Sequence, residues 1–275
     1  MNRLKLVKLR FTMRFNADTQ LPPFIGNTIR GAFGYALSRH CCKWEAQRCE
    51  VCENKAICAY SSMFKRQNSE SMPNPYIISA PFPSSGSYKE GSTLDFFITL
   101  CGCACVYQAA VISAAESMCT GKLQNAAIVD ARPEYTREWS DDGAGSIAPC
   151  DAIFVRFLSP AEIRSGGAPV KSIDFSLFIE RLFARISGIV DNYADRELVL
   201  PYHLLGRIPL VRTECSLKQS SFFTNRQRVD AVFGTISFFG DVTKYLPYID
   251  LGTQLHIGKK TTRGCGEYAF DFSPI

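Results

Sequence analysis

The sequence lacks the features of secreted and membrane proteins. Its first 15 residues place basic side chains among apolar ones, so they contain no continuous apolar core of a signal peptide. One stretch of 20 residues, from Phe96 to Ala115, is free of charge and long enough to cross a bilayer. It contains three cysteines and Gly102, and it changes midway from aromatic and branched residues to alanine-rich sequence, which is typical of a strand followed by a helix. We therefore expect a soluble, cytoplasmic protein without a membrane partner.

Histidine and net charge are also low. The chain has three histidines, which leaves few candidates for acid–base chemistry by an imidazole. Its 31 basic and 26 acidic residues give a formal net charge of +5, which permits a polyanionic partner without requiring one. The composition, 46% apolar and 21% charged, is that of a folded protein and excludes disorder. A length of 275 residues fits two domains of roughly 100–150 residues.

Cysteine, in contrast, is abundant, with 12 residues. Without a secretory signal, these cysteines are expected to be free thiols or metal ligands rather than disulfides. The knuckle Cys49-x-x-Cys52 suits tetrahedral zinc, and the expected ligand set is Cys41, Cys49, Cys52 and Cys58. Cys42 or His40 is an alternative fourth ligand, and burial of the thiols as small apolar groups is an equal alternative to zinc. Such a zinc would be structural, because four protein ligands leave no open position.

The order of predicted elements is similar in the two halves of the chain. In the first half, periodicity predicts strands near 9–15, 76–80, 94–100 and 126–130, with helices near 27–40 and 107–118. In the second half it predicts strands near 153–158, 231–239, 255–258 and 268–272, a helix capped by Asp174, and a short helix near 242–248. This α+β pattern predicts two tandem ferredoxin-like (RRM-like) domains. We assign residues 1–140 to the first, with a Cys-rich helical insertion at about 41–75, and residues 150–275 to the second.

The segment from His256 to Tyr268, HIGKKTTRGCGEY, combines three glycines with three basic residues. Glycines let a backbone turn sharply and expose its N–H groups to an anion, and the basic side chains suit phosphate. The segment is not a Walker loop, because its lysines follow the first glycine, and it is not a dinucleotide-binding fingerprint. Its residues alone leave open a phosphate-binding loop or a plain hairpin turn.

A resemblance favours the first alternative. The run NRQRVDAVFGTISFFGDVTKYLPYIDLGTQLHIGKKTTRGCGEYAF resembles the C-terminal signature of CRISPR RNA-processing endoribonucleases of the RAMP superfamily (repeat-associated mysterious proteins), in its Gly-rich-loop, Cys-containing branch. Three further stretches resemble the same branch in the expected order, namely LPPFIGNTIRGAFGYAL, the cysteine segment ending in CAYSSMF, and VRFLSPAEIRSGG.

The resemblance implies a specific activity. Such proteins cut the repeat RNA of a long CRISPR transcript, often beside a hairpin, and commonly keep the crRNA product in an effector complex with other CRISPR subunits. Their cleavage needs no metal or other cofactor, because the ribose 2′-hydroxyl attacks the adjacent phosphate and leaves a 2′,3′-cyclic phosphate and a 5′-hydroxyl. Two alternatives remain: a RAMP subunit that binds crRNA without cutting it, and a Cys-rich zinc or redox protein that does not bind RNA.

The resemblance also implies site residues. His40 matches the histidine that acts as a general base in many relatives, although a structural or helix-capping role is an alternative. If His40 is not the base, Arg30 and Arg39 are the first residues to test, and Tyr35 supplies a hydroxyl on the same helix. The expected RNA-binding residues are Gly258, Lys259, Lys260, Thr262, Arg263, Gly264, Gly266, His256, Arg226 and Arg228. For Arg226 and Arg228, a solvated surface is the alternative.

Overall fold

The computed structural model describes residues 3–42, 48–65, 72–140, 149–195, 197–224 and 227–274. The α-helices are α1 (Gly26–Cys41), α2 (Ala59–Phe64), α3 (Gln108–Ala115), α4 (Phe175–Tyr193) and α5 (Leu246–Leu255). The strands are β1 (Leu4–Phe15), β2 (Thr19–Gln20), β3 (Tyr76–Ser79), β4 (Ser87–Tyr88), β5 (Thr93–Cys101), β6 (Ala126–Trp139), β7 (Cys150–Phe157), β8 (Arg164–Ser165), β9 (Ala168–Pro169), β10 (Arg212–Thr224), β11 (Gln227–Phe239) and β12 (Tyr268–Pro274). Short 3-10 turns lie at Cys49–Val51, Lys55–Ile57, Gly102–Tyr107, Gly121–Leu123, Tyr202–Arg207, Thr243–Tyr245 and Thr261–Arg263.

Each half of the chain forms a four-stranded antiparallel sheet. The strand orders are β3-β5-β1-β6 and β10-β11-β7-β12. If the main strands of each half are numbered from one to four along the chain, both sheets have the order 2-3-1-4. A β-α-β-β-α-β sequence with this order is the ferredoxin-like fold, so the predicted fold class is confirmed.

Both cores follow the periodicity of the sequence. In β1, the alternating side chains of Leu9, Phe11 and Met13 are fully buried, and they pack with α1 and α3 in the first core. In α4, the apolar face packs into the second core, and the Asp174 side chain caps this helix by accepting a hydrogen bond from the Leu177 N–H at 2.8 Å. Among the described residues, no helix is both long and apolar enough to cross a membrane.

The structure corrects three element predictions in the second half. The strand expected at 255–258 is absent, because α5 continues to Leu255 and His256 then turns with a φ of 59°. The helix expected near 242–248 accordingly lies later, at Leu246–Leu255. Strand β10 was not predicted; it pairs with β11 along its whole length, but its exposed side chains give no alternation of apolar and polar residues.

The expected insertion at 41–75 is helical in part. It contains the 3-10 turns at Cys49–Val51 and Lys55–Ile57, followed by α2. Residues 43–47 and 66–71 of this segment lie outside the described residues. Helix α2 packs against α1, and the Phe64 ring lies 5.5 Å from the Phe33 ring, so the insertion rests on the first domain.

Candidate nucleic-acid interface

The Gly-rich segment folds into a tight loop between α5 and β12. Its backbone has a positive φ at five residues, which are His256, Gly258, Lys260, Gly264 and Gly266. At Gly266, a Cβ atom would lie 1.9 Å from the Ile257 carbonyl oxygen, so the loop requires glycine there. Lys260 adopts this conformation with a full side chain, which is unfavourable by roughly 1–3 kcal/mol and has to be offset by its contacts.

His256 holds this loop from inside the protein. Its side chain is buried, with Nδ1 3.1 Å from the Cys265 carbonyl oxygen and Nε2 3.0 Å from Ser79 Oγ. The carbonyl can only accept, so Nδ1 carries the proton and Nε2 accepts from the Ser79 hydroxyl. Burial lowers the pKa of His256 to about 3, which keeps the ring neutral at pH 7. The expectation that His256 contacts RNA is therefore corrected: the ring ties the loop to β3.

The loop also packs against the start of α1. A Cβ at Gly26 would lie 2.1 Å from the Arg263 carbonyl oxygen, so glycine permits this close approach of two backbones. The Arg263 guanidinium donates from Nη1 to Asn27 Oδ1 at 2.9 Å. This contact joins residues 236 positions apart, and it places the Gly-rich loop of the second domain beside the first helix of the first domain.

A buried carboxylate, Glu162, anchors the other side of the loop. Its side chain is 1% exposed and pairs with the Lys260 ammonium and with Arg164 Nε, the latter at 2.9 Å. The Glu162 carbonyl accepts a hydrogen bond from the Lys259 N–H at 2.9 Å, while the Lys259 side chain is exposed. Two neighbouring lysines thus differ in role: Lys260 fixes the loop, and Lys259 is available to a ligand.

These elements enclose a cleft of about 790 Å³ between the two domains. Its described lining includes one carboxylate, Glu162, and seven basic side chains. The basic side chains are Arg30, Arg164, Arg181, Arg185, Lys259, Lys260 and Arg263. Such an excess of one charge in a concave site raises the local concentration of anions.

Two arginines of the cleft retain unused hydrogen-bonding capacity. The Nε atoms of Arg30 and Arg181 are buried and have no hydrogen-bond partner within the described ranges. Buried N–H donors are normally paired, and phosphate oxygens are strong partners for guanidinium groups. Arg263 lies near Arg30, and burial, followed by the charge of Arg30, lowers the pKa of Arg263. An anion between these two arginines would relieve their repulsion.

The structure separates the residues predicted to be catalytic. Arg30 lines the cleft, whereas Tyr35, Arg39 and His40 lie in the last turns of α1. At a rise of 1.5 Å per residue, the Arg30 and His40 backbones are about 15 Å apart along the helix axis. Arg39 Nη1 donates to the Tyr35 hydroxyl at 3.2 Å, and all three side chains at this end of α1 are exposed.

The remaining predicted RNA contacts divide into three groups. Thr262 lines the cleft, whereas Gly264 and Gly266 are buried in the loop and determine its shape. Arg228 is exposed near the start of β11, and its Nε donates to Asp230 Oδ1 at 2.9 Å. Arg226 lies outside the described residues.

Sequence reasoning missed the contribution of α4 and of Glu162. Arg181 and Arg185 stand four residues apart on α4 and therefore share one face, which is the signal that points to the cleft. Arg185 Nε donates to the Leu255 carbonyl at 3.0 Å, close to the start of the Gly-rich loop. A carboxylate within the stretch VRFLSPAEIRSGG gives no comparable signal, because its partner Lys260 is 98 residues away.

The cysteine segment forms a second, smaller cavity of about 70 Å³. Its lining includes Cys41, Cys42, Cys49, Cys52 and Cys58. The structure therefore brings the four expected zinc ligands to one place, together with the alternative ligand Cys42. In the part of the chain that is described, however, no group of three or more His, Cys, Asp or Glu side chains is already arranged to hold a metal ion.

Each half of the chain matches a protein-family model. Residues 155–268 match the model described as CRISPR-associated endoribonuclease Cas6. Residues 4–133 match the model AF_1859_N, described as an N-terminal domain. An uncharacterized protein of Archaeoglobus fulgidus is 31% identical over 83 residues, which cover 29% of this chain and 28% of that protein.

Solved structures show the same fold over nearly the whole chain. Thermus thermophilus Cas6 has a TM-score of 0.61 at 11% identity, with 98% of this chain and 99% of that chain covered. A Cas6 product complex has a TM-score of 0.57 at 15% identity and covers 97% and 99%. A partial Cas6-RT-Cas1–Cas2 complex has a TM-score of 0.63 at 10% identity, and this chain spans 47% of the matched chain.

The two sheets with their helices define a tandem ferredoxin-like fold. The match of residues 155–268 to the Cas6 family model confirms the resemblance to CRISPR RNA-processing endoribonucleases, and the solved Cas6 structure shares the fold. This chain spans under a third of the Archaeoglobus relative and about half of the Cas6-RT-Cas1 chain.

Proposed function

We propose that this protein is a metal-independent endoribonuclease that cleaves CRISPR repeat RNA and keeps the crRNA product. The observation that carries the proposal is the cleft, where seven basic side chains face one carboxylate and two buried arginine Nε atoms have no partner among the described residues. RNA supplies a row of phosphates that matches such a surface, and binding by phosphate contacts is strongly salt-dependent.

We place RNA binding and bond cleavage at different ends of α1. The cleft grips the backbone through Arg30, Arg181 and the exposed Lys259. Bond cleavage needs a base that accepts the 2′-hydroxyl proton. The described lining of the cleft contains no histidine, and His256 is buried behind the loop with both ring nitrogens engaged. His40 is exposed at the other end of α1 and takes this role.

The surroundings of His40 suit the remaining steps. After His40 takes the proton, the 2′-oxygen attacks phosphorus and the bond to the 5′-oxygen breaks. A proton from solvent completes the 5′-hydroxyl, His40 returns its proton to solvent, and the other product is a 2′,3′-cyclic phosphate. Arg39 lies next to His40 and stabilises the charge that develops on the phosphate, as cationic donors do in transition states of this kind. The Tyr35 hydroxyl is 3.2 Å from Arg39 Nη1 and orients that guanidinium.

Single-turnover cleavage of repeat RNA in EDTA tests this division of roles. We expect His40→Ala to slow cleavage by roughly 10²–10⁴-fold with little change in affinity, because one imidazole adds little to an interface dominated by phosphate contacts. Arg30→Ala should weaken RNA binding with a smaller effect on the rate of the bound complex. Arg39→Ala should lower that rate.

The controls distinguish the alternatives. A substrate with a 2′-deoxyribose at the scissile nucleotide should bind but remain intact, and its cleavage would refute attack by the 2′-hydroxyl. Tight binding without cleavage by the wild-type protein would identify a crRNA-binding subunit instead. Wild-type rates in both the His40 and Arg39 variants would move the chemistry away from this end of α1. Product retention predicts that, with excess substrate, cleavage stops after one turnover per protein chain.

A further inference from the structure

Five thiols surround one small cavity outside the basic cleft, at the end of α1. Cys41 is the last residue of α1, and Cys42 follows it directly. Cys49 begins a 3-10 turn, Cys52 ends it, and Cys58 immediately precedes α2. The cavity of about 70 Å³ has room for a single ion, since one water molecule takes up about 30 Å³ in the liquid. Three separate pieces of chain therefore present sulfur to the same space.

Basic side chains lie beside these thiols. The lining of the cavity includes Arg48 and Lys55 in addition to the five cysteines. A tetrathiolate site with Zn²⁺ carries a charge of −2, which these cations complement.

We propose that Cys41, Cys49, Cys52 and Cys58 bind one structural zinc ion. On binding, each of the four thiols releases its proton to solvent and forms a sulfur–zinc bond of about 2.3 Å. Because no three of these groups within the described ranges are already arranged as ligands, the thiols have to rotate about their side-chain torsions into the cavity they line. All four ligands come from the protein, so the ion performs no chemistry on a substrate.

The role of the ion is to fix the end of α1. Cys41 directly follows His40, and Cys58 directly precedes α2, which packs on α1. A zinc that joins these two points closes a short segment in which Val51 and Ile57 are exposed, and its binding energy becomes folding energy. The site is argued from the cysteines alone, and it does not depend on the proposed cleavage activity.

Metal analysis of the full chain, purified without chelator and in the presence of a reductant, tests the proposal. We expect about one zinc per chain, and Co²⁺ substitution should give the visible absorption of a tetrahedral thiolate site. The variant Cys49→Ser/Cys52→Ser should lose the metal. The matched control Cys103→Ser/Cys215→Ser changes two exposed cysteines outside the cavity and should keep it.

Two results would overturn the site. The first is that wild-type protein contains no stoichiometric zinc and gives no thiolate–cobalt absorption. This measurement needs no variant, so it tests the zinc site even if the double variant does not fold. The second is full metal content in the folded Cys49→Ser/Cys52→Ser protein. Loss of zinc from Cys42→Ser, with zinc retained in Cys41→Ser, would overturn the assignment of Cys41.

Discussion

The neutral, buried His256 should make the protein less stable at mildly acidic pH. The folded pKa of about 3 lies below the ordinary value of 6.5, so between these values the unfolded chain binds one more proton than the folded chain. This contribution to stability is complete above pH 6.5 and is lost as the pH falls toward 3. The slope is about 1.4 kcal/mol per pH unit, so acidification from pH 6.5 to 5 should lower the free energy of unfolding by about 2 kcal/mol.

Urea denaturation at pH 7.5, 6.5 and 5 measures this effect when wild type is compared with His256→Asn. Asparagine keeps a polar side chain that can donate and accept hydrogen bonds, and it does not titrate in this range. The charges that act on His256 come from Arg185 and Lys8, and both residues are present in the two proteins compared. Glu267, whose pKa is raised by burial, is present in both proteins and largely cancels in the comparison.

The variant should be less stable than wild type at pH 7.5, because two buried hydrogen bonds change, but its stability should fall less between pH 6.5 and 5. An equal fall in both proteins would refute the neutral His256. A fall in RNA affinity at pH 7.5 that exceeds the loss of folded protein would instead place the ring in contact with RNA.

Two further predictions concern the loop and the cleft. Gly26→Ala should destabilise the protein by roughly 1–3 kcal/mol in thermal or urea unfolding, because its Cβ would lie 2.1 Å from a backbone carbonyl oxygen. Gly31→Ala in the same helix is the matched control. Its Cβ would have no atom within 4 Å, so it should stabilise the protein by roughly 0.5–1 kcal/mol. Lys259→Ala should lower the slope of log affinity for RNA against log salt by about 0.7–0.9, while exposed Lys244→Ala, outside the cleft lining, should leave it unchanged.

The fold was predictable because most of its elements bury one regular face. Strand β1 and helix α4 show this directly, with apolar residues at every second position in one and along one helical face in the other. Strand β10 was missed because it buries no such face. It is an edge strand with exposed residues such as Glu214 and Lys218, and main-chain hydrogen bonds to β11 hold it in the sheet. Main-chain pairing does not produce a hydrophobic pattern in the sequence.

The site was predictable only in part, because motifs locate segments but not the distances between them. The Gly-rich loop and α1 were found, but no local pattern showed that Arg30, and not His40, lines the cleft. The role of His256 depends on Ser79, 177 residues away, and that of Glu162 depends on Lys260, 98 residues away. Contacts between residues so far apart in the sequence follow from tertiary packing and not from any local sequence pattern.

Two of the three basic side chains in the Gly-rich loop, Lys260 and Arg263, are engaged with other parts of the protein. The pairing of Lys260 with the buried Glu162 offsets its unfavourable left-handed backbone. Arg263 donates a hydrogen bond to Asn27 in the first domain. Both charges therefore serve first to hold the loop against its neighbours. We therefore expect RNA phosphates to be bound mainly by Lys259 and by Arg30, whose Nε has no hydrogen-bond partner among the described residues.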